Sequence, residues 1–342
     1  MRIAGGFAAL VVLIGMAPAA LGGVSYASPE VAFEQGLGAY KAGFFDRAVP
    51  ALEEAAAHAA GLNRFYAEFY LARIYSDNTG AETDHAKAYR LFQKLAEQNA
   101  DAEPDDGQRA PFVAKALIAL AGYLHRGVRE IGVEPDPERA FEYLQHAATF
   151  FDDKDAQFEL AKLYLSGSEE DVKRGMHYLA VLTGEGHPGA QAVLADLYWR
   201  GRFVNKDEKR ALALIRMAVE NAPAHERLWI EDIYQNIFCA ASQGTRKQAD
   251  GMVAVWRKMF TPPPAPVESL PYGGLGLGDL GGRAMQPQRT CGNGELISIQ
   301  RYQPAAGPPG RDAATLPPVN AADGARTGAA AAGQGAETGA IK

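Results

Sequence analysis

The chain has only two cysteines in 342 residues, and neither stands in a Cys/His spacing that could hold zinc. Its seven histidines form no His-Glu-x-x-His pair, which excludes a metalloprotease-type centre. A Gly-x-Ser-x-Gly elbow is missing too, so the usual frame for a nucleophilic serine on an α/β sheet is absent. Positive charge is scarce: 34 Lys and Arg face 41 Asp and Glu, a formal net charge of −7. Without a basic stripe there is no footprint for phosphate backbones, and nucleic acid is not an expected partner. No uninterrupted apolar run reaches the roughly 20 residues of a membrane-spanning helix. These absences leave no expected cofactor, metal or catalytic residue.

What is present is a phrase written five times: a small residue, small or Leu at +4, usually small at +5, an aromatic or Leu at +8, and usually Gly at +11. It reads Ala32-Gly36-Leu37-Tyr40-Gly43, Ala67-Leu71-Ala72-Tyr75, Ala116-Leu120-Ala121-Leu124-Gly127, Ala156-Leu160-Ala161-Tyr164-Gly167 and Ala190-Leu194-Ala195-Tyr198-Gly201. The phrases start 34 to 49 residues apart, within the range of helix-hairpin solenoids, whose units stack because one hairpin cannot bury its apolar face alone. Positions +4 and +8 share a helix face with +5 beside them, so each phrase predicts a first helix whose small residues let a neighbour approach closely.

Second helices are expected at 48–60, 86–98, 137–150, 172–184 and 207–221. Asp136-Pro137-Glu138-Arg139-Ala140 carries an N-cap Asp, Pro at the first helical position and acid in the first turn, and Asn205 to Ala211 opens similarly. Two more helices, 225–243 and 246–260, are expected to cap the array. The first should bury Trp229, Ile233, Ile237 and Ala240 and turn Glu231, Asp232 and Gln235 to solvent; the second should bury Met252, Val253 and Trp256 with Met259 or Phe260. The fold class is therefore all-α, an α/α superhelical solenoid of about five hairpins in 28–224 with capping helices in 225–260.

Residues 1–27 have the anatomy of a secretory signal: Arg2, an apolar run from Ala8 to Met16, and small residues ending Ser25-Tyr26-Ala27. Cleavage is expected after Ala27, with Ala19 the rival position, leaving no stable membrane span. From Thr261 onward Pro, Gly and Ala dominate, and 261–342 reads as a mostly disordered tail. Its one island is 291–302, where Glu295 to Gln300 alternate as a short strand would. Export makes a Cys239–Cys291 disulfide one reading of the two cysteines; the other is a buried free thiol at Cys239 within Ile237-Phe238-Cys239-Ala240.

Gly276-Leu277-Gly278-Asp279-Leu280-Gly281 matches the dinucleotide fingerprint by letter only, since Pro-rich sequence precedes it and no helix follows. Glu231 and Asp232 diverge by roughly 100° on one helix and cannot form a facing carboxylate pair.

The Gly at +11, the Asp-x-x-(Lys/Arg)-Ala of Asp84 to Ala88 and Asp136 to Ala140, and Ala147-Ala148 resemble Sel1-like repeats, relatives of tetratricopeptide repeats, over residues 32–221. Three stretches narrow the resemblance: Phe112 to Gly127, Ala156 to Ala161, and Trp229-Ile230-Glu231-Asp232-Ile233-Tyr234-Gln235-Asn236-Ile237. With an export signal in front, the chain is similar to the exopolysaccharide-production negative regulators (ExoR-like proteins) of alphaproteobacteria. That resemblance implies a periplasmic, non-enzymatic protein that binds the extracytoplasmic domain of a sensor histidine kinase and restrains it, lowering exopolysaccharide synthesis and permitting motility. The loop at 103–111 and the long tail depart from the family pattern. The alternatives are a general periplasmic scaffold for envelope assembly and, third, an enzyme acting on polysaccharide or peptidoglycan.

By analogy with tetratricopeptide stacking, first-helix positions −1, +2, +6, +9 and +10 should line a concave face. They include Tyr66, Phe69 and Arg73; Lys115, Gly122, His125 and Arg126; Phe158 and Lys162; and Ala192, Asp196, Trp199 and Arg200. The candidate partner-binding residues are Arg73, Lys115, His125, Arg126, Lys162, Asp196, Trp199 and Arg200, a set rich in the Arg and Trp that dominate interface hot spots. Its cationic members favour an acidic partner segment.

Overall fold

The computed structural model describes residues 25–78, 80–260 and 289–297. The expected export signal up to residue 24, the Gly-rich fingerprint and most of the expected tail lie outside them. Every described residue belongs to one compact unit, within Met1–Arg301.

That unit is all-α, with twelve α-helices among the described residues. Five hairpins follow one another: α1 (Pro29–Lys41) with α2 (Phe45–His58), α3 (Gly61–Tyr75) with α4 (His85–Gln98), α5 (Ala110–Arg126) with α6 (Pro137–Thr149), α7 (Lys154–Tyr164) with α8 (Glu169–Gly184), and α9 (Pro188–Arg200) with α10 (Glu208–Asn221). The closing pair is α11 (Ala224–Ala240) and α12 (Gln243–Phe260). None of these helices is long and apolar enough to cross a membrane.

One local device recurs and explains the spacing of the phrase. Asp84, Asp136 and Asp207 each cap a second helix by accepting from the backbone N–H three residues on. Their own N–H groups donate to the carbonyls of Tyr75, Leu124 and Tyr198, the +8 residues, at 2.9, 2.8 and 3.0 Å. The cap thus ties the start of each second helix to the end of the first. In the fourth hairpin Ser168 and Asp171 form a reciprocal capping box instead, which starts α8 three residues before the expected 172.

Small residues set the distance between helices. Ala32, Ala67, Ala116, Ala156 and Ala190, the phrase origins, are all fully buried. Gly175 of α8 passes so close to α7 that a Cβ would lie 2.9 Å from the Ala161 carbonyl oxygen. Gly127 (φ +66) turns the chain after α5 and packs against Pro135, where a Cβ would stand 2.7 Å from Cδ. Around this spine run two apolar clusters. The first is rich in aromatic rings, with Phe112 between Tyr66 and Phe69 at 4.8 and 4.9 Å; the second, from α7 to the tail, is mostly Leu, Ala and Ile.

The C-terminal cap departs from the sequence expectation. The buried stripe of α11 is Ile230, Tyr234, Ile237 and, just past its end, Ala241; Ala240 is exposed and Trp229 and Ile233 half-buried. Glu231, expected in solvent, is 1% exposed. The cause is a second layer: residues 289–297 lie on α11, joined by the Cys239–Cys291 disulfide with Cα atoms 5.5 Å apart. Arg289 sets its guanidinium against Glu231 (3.4 Å) and Asp232 and donates to Gln235 Oε1 at 3.2 Å, while Gln235 donates to the Thr290 carbonyl at 3.1 Å. A helix covered on two sides shows no single apolar stripe, and this is why periodicity misplaced its faces. The described part of the expected strand is a tight turn closed by a Thr290–Leu296 bridge, with Cys291 and Ile297 facing inward. On α12, Val253 is buried and Met252 and Trp256 are half-buried.

Candidate functional site

The ends of α3 and α5 and the loops that follow them enclose a cleft of about 830 Å³. Its far wall forms because Gly127 reverses the chain and Val128 pairs with Val133, the two exchanging N–H to O bonds of 2.7 and 3.1 Å. That pairing holds the short 3-10 turn Arg129–Ile131 beside the end of α5. The near wall is fixed by His85, whose Nδ1 lies 2.9 Å from the Tyr123 hydroxyl and whose Nε2 lies 3.1 Å from Asn78 Oδ1. Burial pushes the Tyr123 phenol up to about 12, against the pull of the Arg126 charge, so it stays protonated at neutral pH. Arg126, Arg129, Gly122 and Ser76 also line the cleft, with Glu130 the one carboxylate among its described lining residues.

Three of those residues, Ser76, Gly122 and Arg126, occupy predicted lining positions. Arg126, Arg129 and the exposed His125 have no carboxylate partner among the described residues. Arg73, one turn before Ser76 on α3, has its Nε buried without a hydrogen-bond partner. Positions −1 and +2 behave differently: Tyr66, Phe69, Phe158 and Ala192 are buried and line no groove. Tyr66 and Phe69 meet Phe112 of the next first helix and Phe158 meets His187 at the start of α9, so these positions fall in the seam between units.

The remaining predicted cations are matched within the fold. Lys162 pairs with Glu159 at 2.7 Å and sits 4.8 Å over the Phe158 ring. Arg200 pairs with Asp196 at 2.8 Å, and Trp199 is half-buried with Lys206 over its ring. Lys115 is committed furthest, its ammonium 2.7 Å from Asp153 and 2.6 Å from Asp155, with 15% of its side chain exposed. Asp155 also meets His187 Nε2 at 3.1 Å. Burial alone would raise the Asp155 carboxyl, but the His187 hydrogen bond and the Lys115 charge hold it well below the ordinary carboxylate range. Next to this clasp, burial raises Glu226 at the start of α11.

The clasp joins α5, α7 and α9 through residues the phrase does not specify. Asp153 and His187 cap α7 and α9. Arg129 has no phrase position because it sits in a variable loop, and His85, within the Asp84 to Ala88 cap motif, carries no local signal of its bonds to Tyr123 and Asn78. No group of three or more His, Cys, Asp or Glu that could hold a metal occurs among the described residues. Carboxylates already saturated by cations are not poised as acids or bases, and the open cleft offers guanidinium groups for binding.

Comparison with known proteins agrees with this architecture. The Sel1 repeat family profile matches residues 65–99, 114–149, 154–180 and 188–222. An exopolysaccharide production negative regulator of Rhizobium meliloti (strain 1021) is 28% identical over 223 residues, covering 65% of this chain and 79% of that one. A protein of the same description from Rhizobium leguminosarum bv. viciae is 29% identical over 231 residues, covering 67% and 82%. Among solved structures, a Sel1 repeat protein from Oxalobacter formigenes aligns with TM-score 0.44 and 24% identity, covering 67% of this chain and 88% of that one. A protective antigen of uropathogenic Escherichia coli with an SLR fold aligns with TM-score 0.43 and 18% identity; the alignment covers 68% of this chain and 54% of the antigen, about half its length.

Proposed function

This chain is a Sel1-repeat protein related to the exopolysaccharide production negative regulators, and on that premise we propose that it is a non-enzymatic regulator of exopolysaccharide production that acts by binding another protein. The partner is the extracytoplasmic domain of a sensor histidine kinase, which the bound repeat protein holds inactive in the periplasm. The observation that carries this reading is the likeness to two negative regulators across most of their length. The Cys239–Cys291 disulfide supports an oxidising compartment outside the cytoplasm. The contact surface is drawn from Arg73, His125 and Arg126, the cations of the predicted face without a carboxylate partner among the described residues; its other predicted members, Lys115, Lys162, Asp196 and Arg200, are engaged in ion pairs of the fold, and Trp199 is half-buried under Lys206.

Deleting the gene tests the reading. Exopolysaccharide should rise, motility should fall, and kinase output should increase. Unchanged values of all three would refute it. Crosslinking in intact cells should then recover the kinase; recovery of several envelope-assembly enzymes and no kinase would favour a scaffold instead.

A further inference from the structure

We propose that the cleft between the second and third hairpins is the docking site for an extended acidic segment of the protein partner. This rests on the binding-regulator reading above and adds where the contact is made and what chemistry it recognises.

Charge is the first argument. The cleft lining carries two guanidiniums, Arg126 and Arg129, against one carboxylate, Glu130, within a chain of net charge −7. Lys115 at the other end of α5, Lys162 on α7 and Arg200 on α9 are each held by an acid of the fold. At the cleft the fold supplies Arg126 and Arg129 with no such acid among the described residues. A planar guanidinium binds a carboxylate through two parallel N–H donors, and two of them in one recess favour a run of acidic side chains over a single charge.

Shape is the second. Gly122 leaves the recess open: a Cβ there would meet nothing nearer than the Arg126 guanidinium at 3.9 Å. The helix does not require glycine for close packing at this point, so its absence of a side chain serves the space above it. About 830 Å³ falls in the range of sites that enclose a ligand of several residues' bulk.

The third argument separates peptide from acidic saccharide. Sugar sites present a free aromatic face. Here the Tyr123 ring is already flanked edge-on by His85 and Tyr89 at 5.8 and 5.6 Å, and its hydroxyl is bonded to His85. The His85 nitrogens and the Ser76 hydroxyl are likewise bonded within the fold, so what the cleft offers is the guanidinium groups of Arg126 and Arg129, the partners of acidic side chains.

The test is a fluorescence-anisotropy titration of the full mature chain with a short labelled Glu/Ser/Gly peptide and its Gln/Ser/Gly counterpart, with oligogalacturonate as competitor. The Glu peptide should bind more tightly than the Gln peptide, and Arg126→Gln/Arg129→Gln should weaken it about tenfold or more. Gly122→Leu fills the recess while improving helix propensity, so it should keep the thermal midpoint and lose the peptide. Lys173→Gln on α8, outside the predicted face, should leave affinity unchanged. Equal affinity for the Glu and Gln peptides, full affinity in either cleft variant, or tighter competition by oligogalacturonate than by unlabelled Glu peptide would overturn the proposal. If deletion of the gene gives the regulatory phenotype and Gly122→Leu complements it, the cleft is wrong and the regulator reading stands. If deletion gives no phenotype, the regulator reading fails whatever the peptides do.

Discussion

The two ends of α5 treat positive charge in opposite ways. At its N-terminal end Lys115 is enclosed by Asp153 and Asp155, with His187 completing the cluster from the next hairpin. At its C-terminal end His125 and Arg126 stand in the last turn with Arg129 close behind, and no carboxylate of the described fold meets them. The enclosed end binds hairpin to hairpin and has no valence left for a ligand. The open end costs little to leave solvated, because cations at a helix C-terminus are favoured by the helix dipole. Residues of one type thus divide into mortar and contact surface according to whether the fold itself supplies their partners.

If that division is right, saturated sites should fail by unfolding and the open site by loss of binding. The largest effect is expected at the other saturated region, the seal over α11. Replacing both Cys239 and Cys291 by Ser releases a 52-residue separation and should cost about 4 kcal/mol in urea unfolding. It also frees the segment whose Arg289 neutralises buried Glu231. Next comes Lys115→Met, which strands Asp153 and Asp155 and should cost about 3 kcal/mol, with peptide affinity of the folded fraction unchanged. A destabilised variant that also loses peptide would blur the comparison.

Much of this architecture is legible in the sequence and some of it is not, for physical reasons. The phrase reports contacts that recur between hairpins, such as the buried alanines of all five and the Asp caps bonded to the +8 carbonyls in three, so it places all ten repeat helices. Contacts made once leave no period. The Arg289 to Glu231 pair spans 58 positions and joins a Pro/Gly-rich region to a helix, and neither partner carries a local signal. His187 illustrates the same limit within the array: its cap and turn are readable beside Pro188, whereas its bond to Asp155 depends on how two hairpins stack. The cleft was half visible. Ser76, Gly122 and Arg126 sit at phrase positions, but His85 enters from the first turn of α4 and Arg129 from a loop whose length varies between units.

Acid should separate the two ends of α5 further. The folded Asp155 carboxyl lies below its unfolded value, so its contribution to stability is present above about pH 4 and is lost as pH falls through the depressed value. Asp155→Asn should flatten the acid limb of a stability profile. The neighbouring Glu226 has the opposite sign: burial raises it, so its ionised form costs stability at neutral pH and the cost disappears on acidification. Glu226→Gln should therefore stabilise the protein at pH 7, with no gain well below pH 4.

The smallest expected change in stability belongs to the variant that decides most. Gly122→Leu adds a side chain where the fold has room and should leave the thermal midpoint unchanged or slightly raised. The decisive measurement is exopolysaccharide output of a deletion strain carrying Gly122→Leu at wild-type protein level. A folded variant that leaves output at the deletion level is the predicted result; restoration to the wild-type level would contradict the assignment of the open cleft as the working surface.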